Sequence, residues 1–131
     1  MSFEITREPI EVARYETRDS RIGAVVTFEG RVRDNNEGRE VKALEYTCHE
    51  VLALKEGSRI LEEAQKRFPL LSVQAVHRVG PLGLNDIAVY LRVTAGHRGE
   101  AFEACRWLID EIKARVPIWK REDYGAERTW L

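Results

Sequence analysis

Three groups of residues in this 131-residue chain have side chains and spacing suited to chemistry on an anion. The first is Ala95-Gly96-His97-Arg98, which joins a strand-like run to a helix-like one. A helix start presents unpaired backbone N–H groups and partial positive charge, which together attract phosphate. Arg98 adds a planar fork that matches phosphate oxygens, and His97 adds a further donor. Gly96 and Gly99 keep the backbone approachable. The second group is Arg31 with Arg33, two apart and so on one face of an extended segment. The third is Lys113 and Lys120, on either side of Pro117. A lysine held among Arg31, Arg33 and Arg98 would find its ammonium form disfavoured by like charge, which suits a nucleophile or a proton carrier. Each group also has a plainer reading. Arg98 can pair with a surface acid, the two arginines can be the solvated side of a strand, and Lys113 can answer the dipole of a helix end.

The elements that must position these groups are legible in the apolar periodicity. Ala24 to Arg33 alternates, with Ala24, Val26, Phe28, Gly30 and Val32 toward a core and Val25, Thr27, Glu29, Arg31 and Arg33 away from it. Asp34 to Gly38 reads as a loop or hairpin turn, and Val41 to Cys48 as the partner strand. Val51, Leu54, Leu61, Ala64 and Phe68 recur at helical spacing, which predicts a helix over roughly 50–67 ended by Pro69, with Gly57 as its weak point. Ser72 to Val79 and Ile87 to Thr94 are strands flanking the turn-rich run Gly80 to Asp86. A second helix is expected over roughly 99–116, with Phe102, Cys105, Leu108, Ile109, Ile112 and Val116 as its buried stripe and Pro117 as its stop. The tail through Trp119 and Trp130 reads as extended and packed. This order predicts an α+β fold: a two-layer sandwich with both helices on one side of a mainly antiparallel sheet, in one domain spanning 1–131.

Composition removes several function classes. Hydrophobic residues make up 44% and charged residues 33%, which suits a folded globular chain. The formal net charge is −1, from 21 basic and 22 acidic side chains, so nothing supports a general nucleic-acid binder and any cationic site must arise by local clustering. No apolar run has the length to span a bilayer, and the N-terminus lacks the apolar core of a signal peptide. Cys48 and Cys105 do not form a C-x-x-C pair, which fits a reduced, cytosolic setting. Cys105 falls on the helical stripe as a small core residue, and His77 lies within a strand in a structural role. His77 and His97 form no metal motif, and there is no nucleotide-binding glycine loop or Gly-x-Ser-x-Gly elbow. No metal or cofactor is expected.

The order of these motifs resembles one family. Gly23-Ala24-Val25-Val26-Thr27-Phe28-Glu29-Gly30-Arg31-Val32-Arg33 with Asn36 and Gly38, then His77-Arg78-Val79-Gly80, then Thr94-Ala95-Gly96-His97-Arg98 with Ala101-Phe102, then Lys113 and Pro117-Ile118-Trp119-Lys120-Arg121-Glu122, resemble the catalytic large subunit of molybdopterin synthase. The resemblance covers about residues 20–130. It implies an α/β-hammerhead fold and a sulfurtransferase that converts a cyclic pyranopterin monophosphate (precursor Z) to molybdopterin. The two sulfurs would come from the C-terminal Gly-Gly thiocarboxylate of a small ubiquitin-like partner. By resemblance, Lys113 and Lys120 are catalytic, and Arg31, Val32, Arg33, His97, Arg98, Lys113, Lys120, Arg121 and Glu122 bind substrate. Two large subunits would form the central dimer of a heterotetramer, with no nucleic acid or membrane partner. The competing expectation is a non-catalytic module that binds a phosphorylated metabolite and has no need of the two lysines.

Overall fold

Period-two alternation builds the central strands. β2 (Ala24–Arg31) and β8 (Ile87–Ala95) pair antiparallel from Ala24 opposite Ala95 to Arg31 opposite Ile87. This places Val26 and Phe28 beside Val93 and Leu91 on one face. The computed structural model describes residues 2–123 and the backbone of residues 128–130. β1 (Ser2–Thr6) and β6 (Leu70–Arg78) complete a four-stranded sheet in the order β1-β6-β8-β2, in which β1 runs parallel to β6 and the other pairs are antiparallel. β1 was not anticipated from the sequence.

A second sheet departs from the single sheet expected. β5 (Ala43–Cys48) lies between β7 (Gly80–Gly83) and β9 (Ile118–Asp123), and β10 (Arg128–Trp130) pairs with β9, all antiparallel. The turn-rich run after Val79 is therefore partly a strand. Its glycines and proline hid the signal, since a short strand of Gly80-Pro81-Leu82-Gly83 has almost no alternation to read. Between the sheets, β3 (Asn35–Asn36) and β4 (Arg39–Glu40) form a small hairpin. Its two-residue turn has Glu37 at φ 52° and Gly38 at φ 82°, the doubly positive pattern whose twist matches that of paired strands.

α1 (Glu50–Arg67) and α2 (Arg98–Arg115) pack on the first sheet and on each other, α1 over β1 and β6, α2 over β2 and β8. Both helices bury small residues beside branched aliphatic ones: Ala53, Gly57 and Ala64 with Ile60 and Leu61 in α1, and Ala101, Ala104 and Cys105 with Leu108 and Ile112 in α2. Two expectations are corrected here. Phe102 is 61% exposed and Val51 is 70% exposed. At 100° per residue Phe102 stands a quarter-turn off the stripe drawn by Ala101, Cys105, Leu108 and Ile112, and reading by size rather than angle put it inside. Gly57 strengthens α1's seat, because a Cβ there would fall 2.3–2.5 Å from the ring of Phe3 in β1. Trp119 is half exposed, so the tail is extended as expected but not packed at that residue, and the side chain of Trp130 lies outside the described residues.

The far side of the first sheet is covered by the chain between β1 and β2. Tyr15 packs against Val76 and Tyr90, and Arg92 donates to the Thr17 hydroxyl at 2.9 Å. With both faces covered, strand β8 is buried over nearly its whole length and makes a stiff axis. The candidate site residues are hung from its two ends.

Candidate functional site

One end carries a cleft. Arg31, Val32, Arg33, Asn35, Asn36, Val41, Leu44, Tyr46, Lys120 and Glu122 line a space of about 60 Å³ between the end of β2, the β3–β4 hairpin and the second sheet. Local structure explains the placement. The β2–β8 register slips between Gly30 and Arg31, which turns the strand end out of the sheet. Val32 N–H donates to the Asp86 carbonyl and Asn85 N–H to the Val32 carbonyl, fixing this end against the turn before β8. Val32 is buried, so it acts as the anchor between two exposed arginines. Lys120 reaches the cleft because β9 pairs with β5, setting Lys120 opposite Tyr46.

The charges in the cleft are mixed. Arg31 donates to Glu29 Oε1 from Nη2 at 2.7 Å and from Nε at 3.0 Å, and to Asn85 Oδ1 at 3.2 Å. Lys120 Nζ stands 2.9 Å from Glu122 Oε1, and Glu122 is only 3% exposed. The like-charge surroundings expected for a lysine are thus replaced by a direct carboxylate partner for Lys120. Glu122 is held in turn by Asn36, whose Nδ2 donates to both carboxylate oxygens at 3.0 and 3.2 Å. Burial pushes the Tyr46 phenol above its ordinary range, and the Glu122 charge adds to the rise. Arg33 is exposed and without an ion pair among the described residues. Arg121 projects elsewhere, donating to Glu45 Oε1 at 2.6 Å beside a separate groove.

Behind Tyr46 lies His77, edge-on to its ring with centroids 4.8 Å apart. His77 is buried, its Nδ1 2.8 Å from the Arg78 carbonyl, and burial drives its pKa down to about 4, so it is a neutral packing residue. Burial pushes the Cys105 thiol up to about 11 and also raises Cys48, so neither sulfur is an activated nucleophile. Among the described residues no cluster of His, Cys, Asp and Glu could hold a metal.

The other candidate group stands apart. His97 stands at the N-cap position of α2 without a side-chain capping hydrogen bond, and Arg98 is the helix's first residue. Gly23 N–H donates to the Ala95 carbonyl, and a Cβ on Gly23 would fall 2.1 Å from the Gly96 carbonyl oxygen, so this loop sits against the beginning of β2. Arg31 is seven residues further along β2, roughly 23 Å away at strand rise. A single chain therefore does not bring His97 and Arg98 to Arg31, Arg33 and Lys120. The α2 start is open: nothing lies within 4 Å of a Cβ built at Gly96 or Gly99, and His97 has only a 3.9 Å approach to Glu100. α2 is about 27 Å long and reverses direction over the sheet, turning the chain back toward the Arg31 end. Lys113, in its last turn, is exposed and does not line the cleft.

Asn36, Tyr46 and Asn85 contribute to this end of the molecule without having stood out in the sequence. A signal for Asn85 existed, because Asn is among the few residues that accept a left-handed turn conformation, and it sits at φ 70°.

The family model described as MoaE protein matches residues 5–115. The molybdopterin synthase catalytic subunit of Pyrococcus abyssi is 43% identical over 122 residues, covering 93% of this chain and 82% of the relative. That of Staphylococcus carnosus is 39% identical over 131 residues, covering 98% and 87%. Among solved structures, molybdopterin synthase from Staphylococcus aureus superposes with a TM-score of 0.93 at 38% identity, covering 98% of this chain and 96% of that one. A complex of subunits 1 and 2 of the molybdopterin-converting factor from Helicobacter pylori matches at a TM-score of 0.79, and at 18% identity this speaks for the fold alone.

Proposed function

The chain belongs to the MoaE family of molybdopterin synthase catalytic subunits, and on that premise we propose that it transfers two sulfurs to a cyclic pyranopterin monophosphate. The donor is the C-terminal thiocarboxylate of a small ubiquitin-like partner. The single observation that carries this reading is the cleft in which Arg31, Arg33 and Lys120 face one opening around a buried carboxylate. Guanidinium forks suit a phosphate, and an ammonium suits a group that gains or loses negative charge. Neither cysteine is activated, which fits sulfur arriving from outside the chain. Lys120, at the cleft wall, passes a proton as sulfur adds and the cyclic phosphate opens. Lys113, exposed in the last turn of α2, holds the incoming thiocarboxylate by charge. The exchanged assignment of the two lysines is the alternative to test.

About 60 Å³ is on the scale of a few water molecules, so only the phosphate or the reacting edge of a pterin enters this cleft. A second copy of the chain supplies the rest. β2 is an edge strand whose two ends carry the two halves of the cationic constellation. A two-fold axis beside β2 exchanges those ends and sets His97 and Arg98 of the second copy against Arg31 and Arg33 of the first. Two composite sites result, each with a bare helix start facing a cleft.

Single-turnover dithiolene formation with thiocarboxylated partner tests the chemistry. Lys113→Ala and Lys120→Ala are each expected to lower the rate by roughly 10² to 10⁴. Wild-type rates in both would remove the lysines from the reaction. Calorimetry showing pterin binding with no turnover in the presence of charged partner would favour the non-catalytic module.

A further inference from the structure

The β3–β4 hairpin contributes Asn35 and Asn36 to the cleft lining, and Asn36 bonds the buried carboxylate there. Asn36 is the last paired residue before the turn, opposite Arg39, and its amide crosses 86 residues of sequence to reach Glu122. In the turn Glu37 and Gly38 both take positive φ, and Gly38 N–H donates to Asn35 Oδ1 at 3.2 Å. At the hairpin's base, Val41 N–H donates to the Asp34 carbonyl and Lys42 N–H to the Asp123 carbonyl, each at 2.7 Å. The amide is thus presented from a fixed frame to a carboxylate that is 97% removed from solvent.

Building on the sulfur-transfer reading above, the geometry points to Asn36 as a positioning residue: it orients the Glu122 carboxylate, and through it the Lys120 ammonium, while tying the hairpin to the cleft lining. A buried carboxylate needs hydrogen-bond donors; Lys120 stands at Oε1, and the Asn36 amide reaches Oε1 and Oε2 alike. The Asn36 Nδ2 meets both, so the carboxylate plane cannot swing and Oε1 stays where Lys120 needs it. Asn36 does not itself touch the reacting atoms in this scheme. The charged and titratable groups around it are Glu122, Lys120, Tyr46, Arg31, Arg33 and, across the hairpin, Arg39.

Steady-state assays of the assembled enzyme, with thiocarboxylated partner and cyclic pyranopterin monophosphate, test this. Asn36→Ala is expected to lower kcat roughly tenfold with KM for the pterin within about twofold, since a misplaced group costs chemistry more than binding. Asn36→Asp sets a second carboxylate against Glu122 and is expected to lose more, then to regain activity relative to wild type as pH falls. A protonated Asp can donate where the amide did, and that recovery is one a merely structural defect would not give. Urea midpoints measured alongside are expected to lie close to wild type, because the hairpin lies outside the helix–sheet core. Equal losses in kcat and 1/KM, a wild-type kcat for Asn36→Ala, or an Asn36→Asp defect that is flat with pH would each overturn the proposal. If the lysine variants are impaired while Asn36→Ala is not, Asn36 alone loses its role. If the lysine variants are fully active, the sulfur-transfer reading falls first.

Discussion

The two ends of β2 carry the same kind of charge in opposite conditions. At the Arg31 end, among the described residues, Glu29 and Asn85 hold Arg31 and Glu122 holds Lys120, while Arg33 has no ion pair. At the Gly23 end, His97 and Arg98 stand in solvent on a helix start, with open space around Gly96 and Gly99. A cation locked by its own chain is preorganised, with side-chain entropy already lost during folding. A bare cation on a helix start is free to meet an anion carried in by another body. Within one chain a paired cationic cleft and an open helix start are thus held apart, and the proposed two-fold arrangement is what would bring them together.

The largest effect should come from separating the halves. Arg33→Ala and Arg98→Ala are each expected to lose at least about 10² in turnover through lost phosphate contacts. Mixing the two inactive proteins after unfolding should restore about a quarter of wild-type activity, since half of the random dimers then carry one intact site. No recovery on mixing would mean that the two ends of β2 serve separate sites.

Breaking only the bare end is the next test. Gly23→Ala forces the Gly96 carbonyl and the start of β2 apart, since backbone cannot accept a Cβ at 2.1 Å. The expected cost is about 1–3 kcal/mol of stability. Pterin affinity should weaken while the Lys120–Glu122 contact is retained. Urea unfolding and calorimetry check this, and unchanged affinity would dissociate the α2 start from binding.

The locked end should respond to acid. His77 is held near pKa 4, below its unfolded value of 6.5, so the unfolded chain binds more protons between these values. Stability is therefore full at neutral pH and falls as pH drops through that window, by about 2 kcal/mol between pH 7 and pH 5. Because His77 backs Tyr46 in the cleft wall, a variant such as His77→Phe should flatten this part of the pH dependence. An equally steep loss in that variant would place the acid sensitivity elsewhere.

The smallest effect separates strain from contact. Asn85→Gly removes the acceptor for Arg31 but suits φ 70°, while Asn85→Ala removes the acceptor and keeps the strain. The alanine variant should be less stable than the glycine variant by about 1 kcal/mol, with both equally impaired in substrate affinity. Thermal unfolding distinguishes them, and equal stabilities would show that the turn carries no conformational penalty.

Much of this molecule was legible before any coordinates. Strict alternation over Ala24–Arg33 and Ile87–Thr94 identified the strands that became the central pair, and Pro69 and Pro117 marked the helix ends closely. Period alone could not say that Ala101 and Ala104 would be buried in place of Phe102, because a helix that seats closely on a sheet selects small residues by angle. Nor could it find β7, which has no alternation, or β1, which is placed by its pairing with β6.

Residue order alone supplied the candidate cationic side chains, their succession along the chain, and the family they identify. Their grouping came from the folded arrangement. A strand advances about 3.3 Å per residue, so Arg31 and the loop at His97, joined to opposite ends of the β2–β8 pair, are held far apart by the stiffness of the sheet. The same folding set a buried carboxylate against Lys120 and an asparagine from a distant hairpin against that carboxylate. Such contacts depend on how two sheets meet, a property of the whole chain that no local spacing encodes.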